Sequence, residues 1–154
     1  QAQAEMDQID DAATKSRLGI RLITNVAYQG RLPQAKLLLA EYSLQVRQTF
    51  DLGKRGMMLS QFARLATRLG QPDMASRLFA EMEALSANLS GREAMVNKGM
   101  LAINQARSLL IKDAMTTLES IDAVFIRDPV LSEIVMIERT VKNLMPVSVS
   151  ASLL

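Results

Sequence analysis

The chain has 154 residues, a single-domain length on size alone, with 49% apolar and 22% charged residues. Its 18 basic and 16 acidic side chains leave a net charge of +2, far short of what a dedicated nucleic-acid binder carries. There is no Cys and no His, which excludes disulfides, thiolate or imidazole zinc sites, thiol nucleophiles and His-dependent triads.

Aromatic residues are only 4%, and the chain is made mainly of Ala, Leu, Met, Gln, Glu, Arg and Lys, so its elements are predicted to be helices. The first spans about residues 4–29. Its apolar stripe runs Met6, Ile9, Ala13, Ser16, Ile20, Ile23, Ala27, alternating steps of three and four along one helical face. Acid at Glu5, Asp7, Asp10 and Asp11 precedes base at Lys15, Arg17 and Arg21, which complements the helix dipole. Gly30 suits the stop and Pro33 the first turn of a second helix, which buries Ala35, Leu38, Leu39, Tyr42, Val46 and Phe50.

A third helix follows from Lys54 to Leu69 on Met58, Phe62, Leu65 and Leu69. Gly70-Gln71-Pro72 is a short turn into a fourth, on Ala75, Leu78, Met82, Leu85 and Leu89. Ser90-Gly91-Arg92-Glu93 has the form of a capping box and opens a fifth, on Val96, Gly99, Ile103, Ala106 and Leu110. The sixth carries Ala114, Leu118, Ile121 and Phe125 inward. Asp128-Pro129 marks the start of a seventh on Val130, Ile134, Ile137, Val141 and Leu144, and Pro146 ends it. The predicted organisation is one domain of three hairpins at about 4–50, 54–89 and 92–126, a capping helix at 129–145 and an extended tail at 146–154.

A repeat of 39 to 40 residues runs through the hairpins. Aligning Ala35, Ala75 and Ala114 brings Leu39, Phe79 and Leu118 together, and likewise Tyr42, Met82 and Ile121. Upstream, Leu22, Phe62 and Leu101 coincide, each followed by Ile23, Ala63 or Ala102. Small residues let two helices approach, and large ones fill the space between them.

On these residues the chain resembles the tetratricopeptide-repeat class. The paired large and small residues stand at Phe62-Ala63 and Leu101-Ala102, the turn Gly at Gly30 and Gly70, and the small residue of each second helix at Ala35, Ala75 and Ala114. The third hairpin departs by placing Leu109 where Gly belongs, and the period exceeds the family's, which is about 34. The resemblance, over residues 16–125, implies an all-α fold: a right-handed α-α superhelix, or solenoid, of three hairpins with a C-terminal capping helix. It also implies that the first helix of each hairpin lines the inner, concave wall. That wall would carry Arg17, Arg21 and Thr24, then Met57, Gln61 and Arg64, then Val96, Met100 and Ile103, with Arg68 and Arg107 one turn beyond.

Glu81 and Glu83 face different ways on a helix, and Asp10 and Asp11 are adjacent near a helix start, so neither makes an acid–base pair. No phosphate-cradling glycine loop or metal-ligand spacing occurs, and no cofactor or metal is expected. The expected function is a non-enzymatic scaffold or adaptor that binds a peptide or helix of a larger assembly, with an acidic partner favoured by the arginines. A bacterial envelope complex for secretion, pilus formation or motility is the setting this reading names. The alternative is a self-associating structural subunit, because an open solenoid exposes both ends and a homo-oligomer follows naturally. Nucleic acid is not expected, since stacking aromatics are scarce. No apolar run approaches the ~18 residues a spanning helix needs, so no membrane insertion is expected. A Cys-free chain suits cytoplasm and periplasm alike, and Ala2-Gln3-Ala4 echoes a signal-peptidase site, which leans the expectation toward export.

Overall fold

A computed structural model of the chain describes residues 11–48 and 51–144. Among the described residues there are seven α-helices and no strand, with helix making up 86% of them. They are α1 (Ala12–Tyr28), α2 (Leu32–Gln45), α3 (Leu52–Arg68), α4 (Pro72–Ala87), α5 (Gly91–Arg107), α6 (Ile111–Glu119) and α7 (Val124–Leu144), with a 3-10 turn over Val46–Gln48 after α2. The pairs α1–α2, α3–α4 and α5–α6 are hairpins, and the first helices also pack in series, α1 on α3, α3 on α5 and α5 on α7. This is an all-α, solenoid-like stack of hairpins.

The hairpin turn is built three times with the same hydrogen bonds. In each, one amide closes a short bond and the next reaches back five residues: Gly30 to Ala27 and Arg31 to Val26, Gly70 to Thr67 and Gln71 to Ala66, Leu109 to Ala106 and Leu110 to Gln105. That Schellman geometry needs a left-handed residue. Gly30 (φ 76°) and Gly70 (φ 66°) supply it in two hairpins, and Leu109 is forced to φ 65° in the third. A left-handed conformation costs an L-residue about 1–2 kcal/mol. Leu109→Gly is therefore expected to raise stability by up to about 1 kcal/mol, after allowing for the greater freedom of unfolded glycine. A urea midpoint that falls would show that the half-exposed Leu109 side chain contributes more than its backbone costs.

The repeat positions are packing positions. Ala35, Ala75 and Ala114 are buried, as are Leu39, Phe79, Leu118, Tyr42, Met82, Ile121, Phe62, Leu101, Ile23, Ala63 and Ala102. Leu22 alone of the aligned set is only partly buried. Glycines open the tightest contacts. A Cβ at Gly19 would lie 2.6 Å from the Tyr42 ring, and one at Gly56 would lie 2.3 Å from Asn97 Oδ1. The apolar core divides into two clusters near the α3–α5 seam. The seam itself is partly polar: Asn104 Nδ2 donates to Ser60 Oγ at 2.9 Å, and both residues are buried. Arg47 ties the first hairpin to the second through Glu81, its Nε and Nη2 reaching the carboxylate at 2.9 and 2.6 Å.

Several helix boundaries differ from the sequence reading. α1 begins at Ala12, because Asp11 is a true N-cap whose carboxylate accepts from the Ala13 and Thr14 amides. The Thr14 hydroxyl, with those amides, holds the Asp11 carboxyl below its ordinary pKa. Asp51 caps α3 in the same way, so that helix starts at Leu52 and not at Lys54. The Ser90 side chain makes no cap bond. Glu93, its intended partner, instead lies over Gly53 of α3.

The largest shift is at α7, which starts at Val124 and carries Pro129 inside it. The Arg127 amide already bonds to the Ala123 carbonyl. Pro129 deprives only the Phe125 carbonyl of its helical donor, and Phe125 is 68% exposed, so water can take that place. Phe125 is consequently not an inward residue. The predicted Met6 and Ile9 stripe, Phe50 and the tail at 146–154 lie outside the described residues.

Candidate binding face

α3 is enclosed by α1, α4 and α5. What it leaves to solvent is a stripe at three-four spacing: Lys54, Met57, Gln61, Arg64 and Arg68. Lys54 was not among the predicted site residues, though the same spacing reaches it. On α1 the positions forty residues earlier include Arg17 and Arg21, both exposed. Thr24 is half-buried and its hydroxyl donates to the Ile20 carbonyl at 2.7 Å, so it serves its own helix.

On α5 the corresponding stripe is Val96, Met100, Ile103 and Arg107. Val96 is 39% exposed, and Met100 and Ile103 are half-buried. Val96 and Ile103 were also predicted as core. The buried side of α5 is instead Asn97, Gly99, Leu101, Ala102, Asn104, Gln105 and Ala106. Polar residues displace Val96 from the interior because the neighbouring α3 surface is glycine and serine. Met57 and Val96 face each other across a cleft of about 380 Å³ between the starts of α3 and α5.

The arginines converge at the other end of this face. Ser60 and Asn104 mark where α3 meets α5, and one turn further along each helix come Arg64 and Arg107. Burial, then the neighbouring Arg68 and Arg107 charges, push the Arg64 guanidinium below its ordinary pKa. Arg64 is nevertheless a cation at neutral pH, as a guanidinium does not lose its proton in a protein. Arg107 Nη2 pairs with Glu133 of α7. That contact spans 26 residues and depends on the short α6, so no local spacing announces it. The resulting surface is an apolar lane of Met57, Val96 and Met100 leading to three neighbouring guanidiniums, of which Arg107 is paired with Glu133.

Among the described residues, no group of three or more acidic side chains could hold a metal ion, and no helix is long and apolar enough to cross a membrane. The chain matches no protein-family model, no curated protein and no solved structure.

Proposed function

We propose that this protein is a non-enzymatic interaction scaffold, a hairpin-repeat adaptor of tetratricopeptide-like type. Its first-helix face takes an acidic peptide or helix belonging to a larger assembly, such as a bacterial envelope complex. The supporting observation is the half-buried Arg64 set beside Arg68 and Arg107. Keeping like charges together in partly desolvated surroundings opposes folding. A partner carboxylate placed between them would relieve that repulsion and gain charge-assisted hydrogen bonds. The apolar lane beside the cluster would receive side chains that precede the acidic group, and its methionines adapt to different shapes.

A fluorescence-anisotropy titration with acidic peptides that carry an apolar segment tests this. Wild-type protein should bind them better than neutral peptides of the same length. Reversing Arg17 and Arg64 to Glu together should leave the helical circular-dichroism signal intact and weaken binding at least about tenfold, roughly 1.4 kcal/mol. The difference should shrink as salt rises, because screening acts over about 8 Å at physiological ionic strength. Equal binding by wild type and the double variant would remove the face from consideration.

A further inference from the structure

α2 carries an exposed line of uncharged residues at four-three-four spacing: Pro33, Leu37, Ala40 and Leu44. Leu37 is 73% exposed and Leu44 63%. The repeat shows that the fold does not require this. At the same positions α4 has Asp73, Arg77, Ala80 and Ala84, and α6 has Lys112, Thr116 and Glu119, all exposed. Charge and small polar residues are tolerated there in two hairpins out of three, so the leucines of the first answer to something other than folding. Single exposed leucines are ordinary, but aligned ones two turns apart make a helix seam.

A second uncharged line lies at the other end of the stack. On α7, Phe125, Pro129, Ser132 and Met136 follow the same four-three-four spacing and are exposed, with Phe125 at 68% and Met136 at 62%. α7 occupies the place of a first helix, packed on α5, but among the described residues no following helix covers it. The two lines are complementary in size. Leu37 and Leu44 project seven residues apart, roughly 10 Å at 1.5 Å per residue. Phe125 and Met136 stand eleven apart, roughly 16 Å, with the smaller Pro129 and Ser132 between them. The two leucines fit into the gap that the larger pair brackets. Neither line contains a charge that would have to be desolvated.

We propose that the occupant of the α2 line is α7 of a second copy of this chain, so that copies join head to tail. Because the two surfaces differ, each copy keeps one free end and the contact does not close on itself as a twofold dimer would. A single helix-on-helix contact falls below the roughly 800 Å² per partner of a standard interface, so the association is weak and depends on concentration. It uses none of the arginines of the first-helix face and stands or falls separately from peptide binding.

Sedimentation equilibrium of the full chain, at concentrations rising to about 1 mM, tests this. Wild type should show an average mass that climbs past the dimer without a plateau. One variant, Leu37→Lys with Leu44→Lys, removes the α2 line. Another, Phe125→Ser with Met136→Lys, removes the α7 line. Each should be monomeric alone, with unchanged circular dichroism because all four positions are exposed. Mixed together, they should form a one-to-one dimer that grows no further, since the mixture retains one good surface of each kind. A wild type that stays monomeric throughout would overturn the proposal. So would either variant dimerising alone, which would mean like surfaces pair, or a mixture that shows no dimer.

Discussion

Phe62→Ala is expected to cost about 3–5 kcal/mol, the range for removing a fully buried aromatic ring. Phe62 has no exposed surface and sits on α3, the helix enclosed by α1, α4 and α5. Truncation leaves a void that these three neighbours cannot collapse into together, because α1 and α5 are also held by their hairpin partners α2 and α6, and α4 is tied to α3 by their shared turn. Total stability for a domain of this size is about 5–15 kcal/mol, so the variant would be marginal at 37 °C. The aligned residue Leu22 provides the control. It occupies the same repeat position on α1 but is only partly buried, so Leu22→Ala should cost clearly less. Urea denaturation of the two variants decides the matter. Equal losses would mean that the flank of α1 is as enclosed as that of α3, contrary to the observed burial.

Gly19 and Tyr42 should behave as a coupled pair. Tyr42 is fully buried on α2, and its ring lies against the bare backbone of Gly19 on α1. Gly19→Ala places a methyl 2.6 Å from ring atom Cδ1 and 2.7 Å from Cγ. The ring is wedged in the core and cannot rotate away as a flexible chain end would. Alanine gains about 1 kcal/mol of helix propensity over glycine, against an overpacking cost of roughly 1–3 kcal/mol, so the net change is destabilising. Tyr42→Ala alone should lose about 3–5 kcal/mol by cavity formation. In the double variant the new methyl projects into the vacated space. The two losses should therefore add to less than their sum, with a coupling of about 0.5–3 kcal/mol. Strict additivity in a double-mutant cycle would show that the helices separate rather than keep their close approach.

The two lysine-bearing variants that test head-to-tail joining and the arginine reversals that test peptide binding complete the set. They address different surfaces, so either result can be read without the other.

How much of this was legible beforehand differs by level. The all-helical class, the hairpin turns and the aligned packing residues follow from local pattern. Three-four periodicity places one face of each helix inward. Glycine before a new helix marks the left-handed turn residue, and even the exception at Leu109 stands out because the other two hairpins have glycine there. The candidate face was partly legible for the same reason: the stripe of Met57, Gln61, Arg64 and Arg68 is what remains when the apolar stripe of α3 is assigned to the core.

Other features depended on which helix lies next to which. α7 could start before Pro129 because the one carbonyl that proline leaves without a donor belongs to Phe125, an exposed residue that water can reach. Val96 turned outward because the glycine and serine surface of α3 selected Asn97 and Asn104 as its neighbours on α5. Arg107 found Glu133 only because α6 is short enough to bring α7 beside α5. By itself the sequence determined the helices, their hairpin turns and most of the faces they bury, Val96 and Phe125 excepted, since those rest on interactions within about four residues of each position. The tertiary structure alone decided the register between helices, and with it which charges meet and which glycines admit a ring, because such contacts join residues that no local spacing relates.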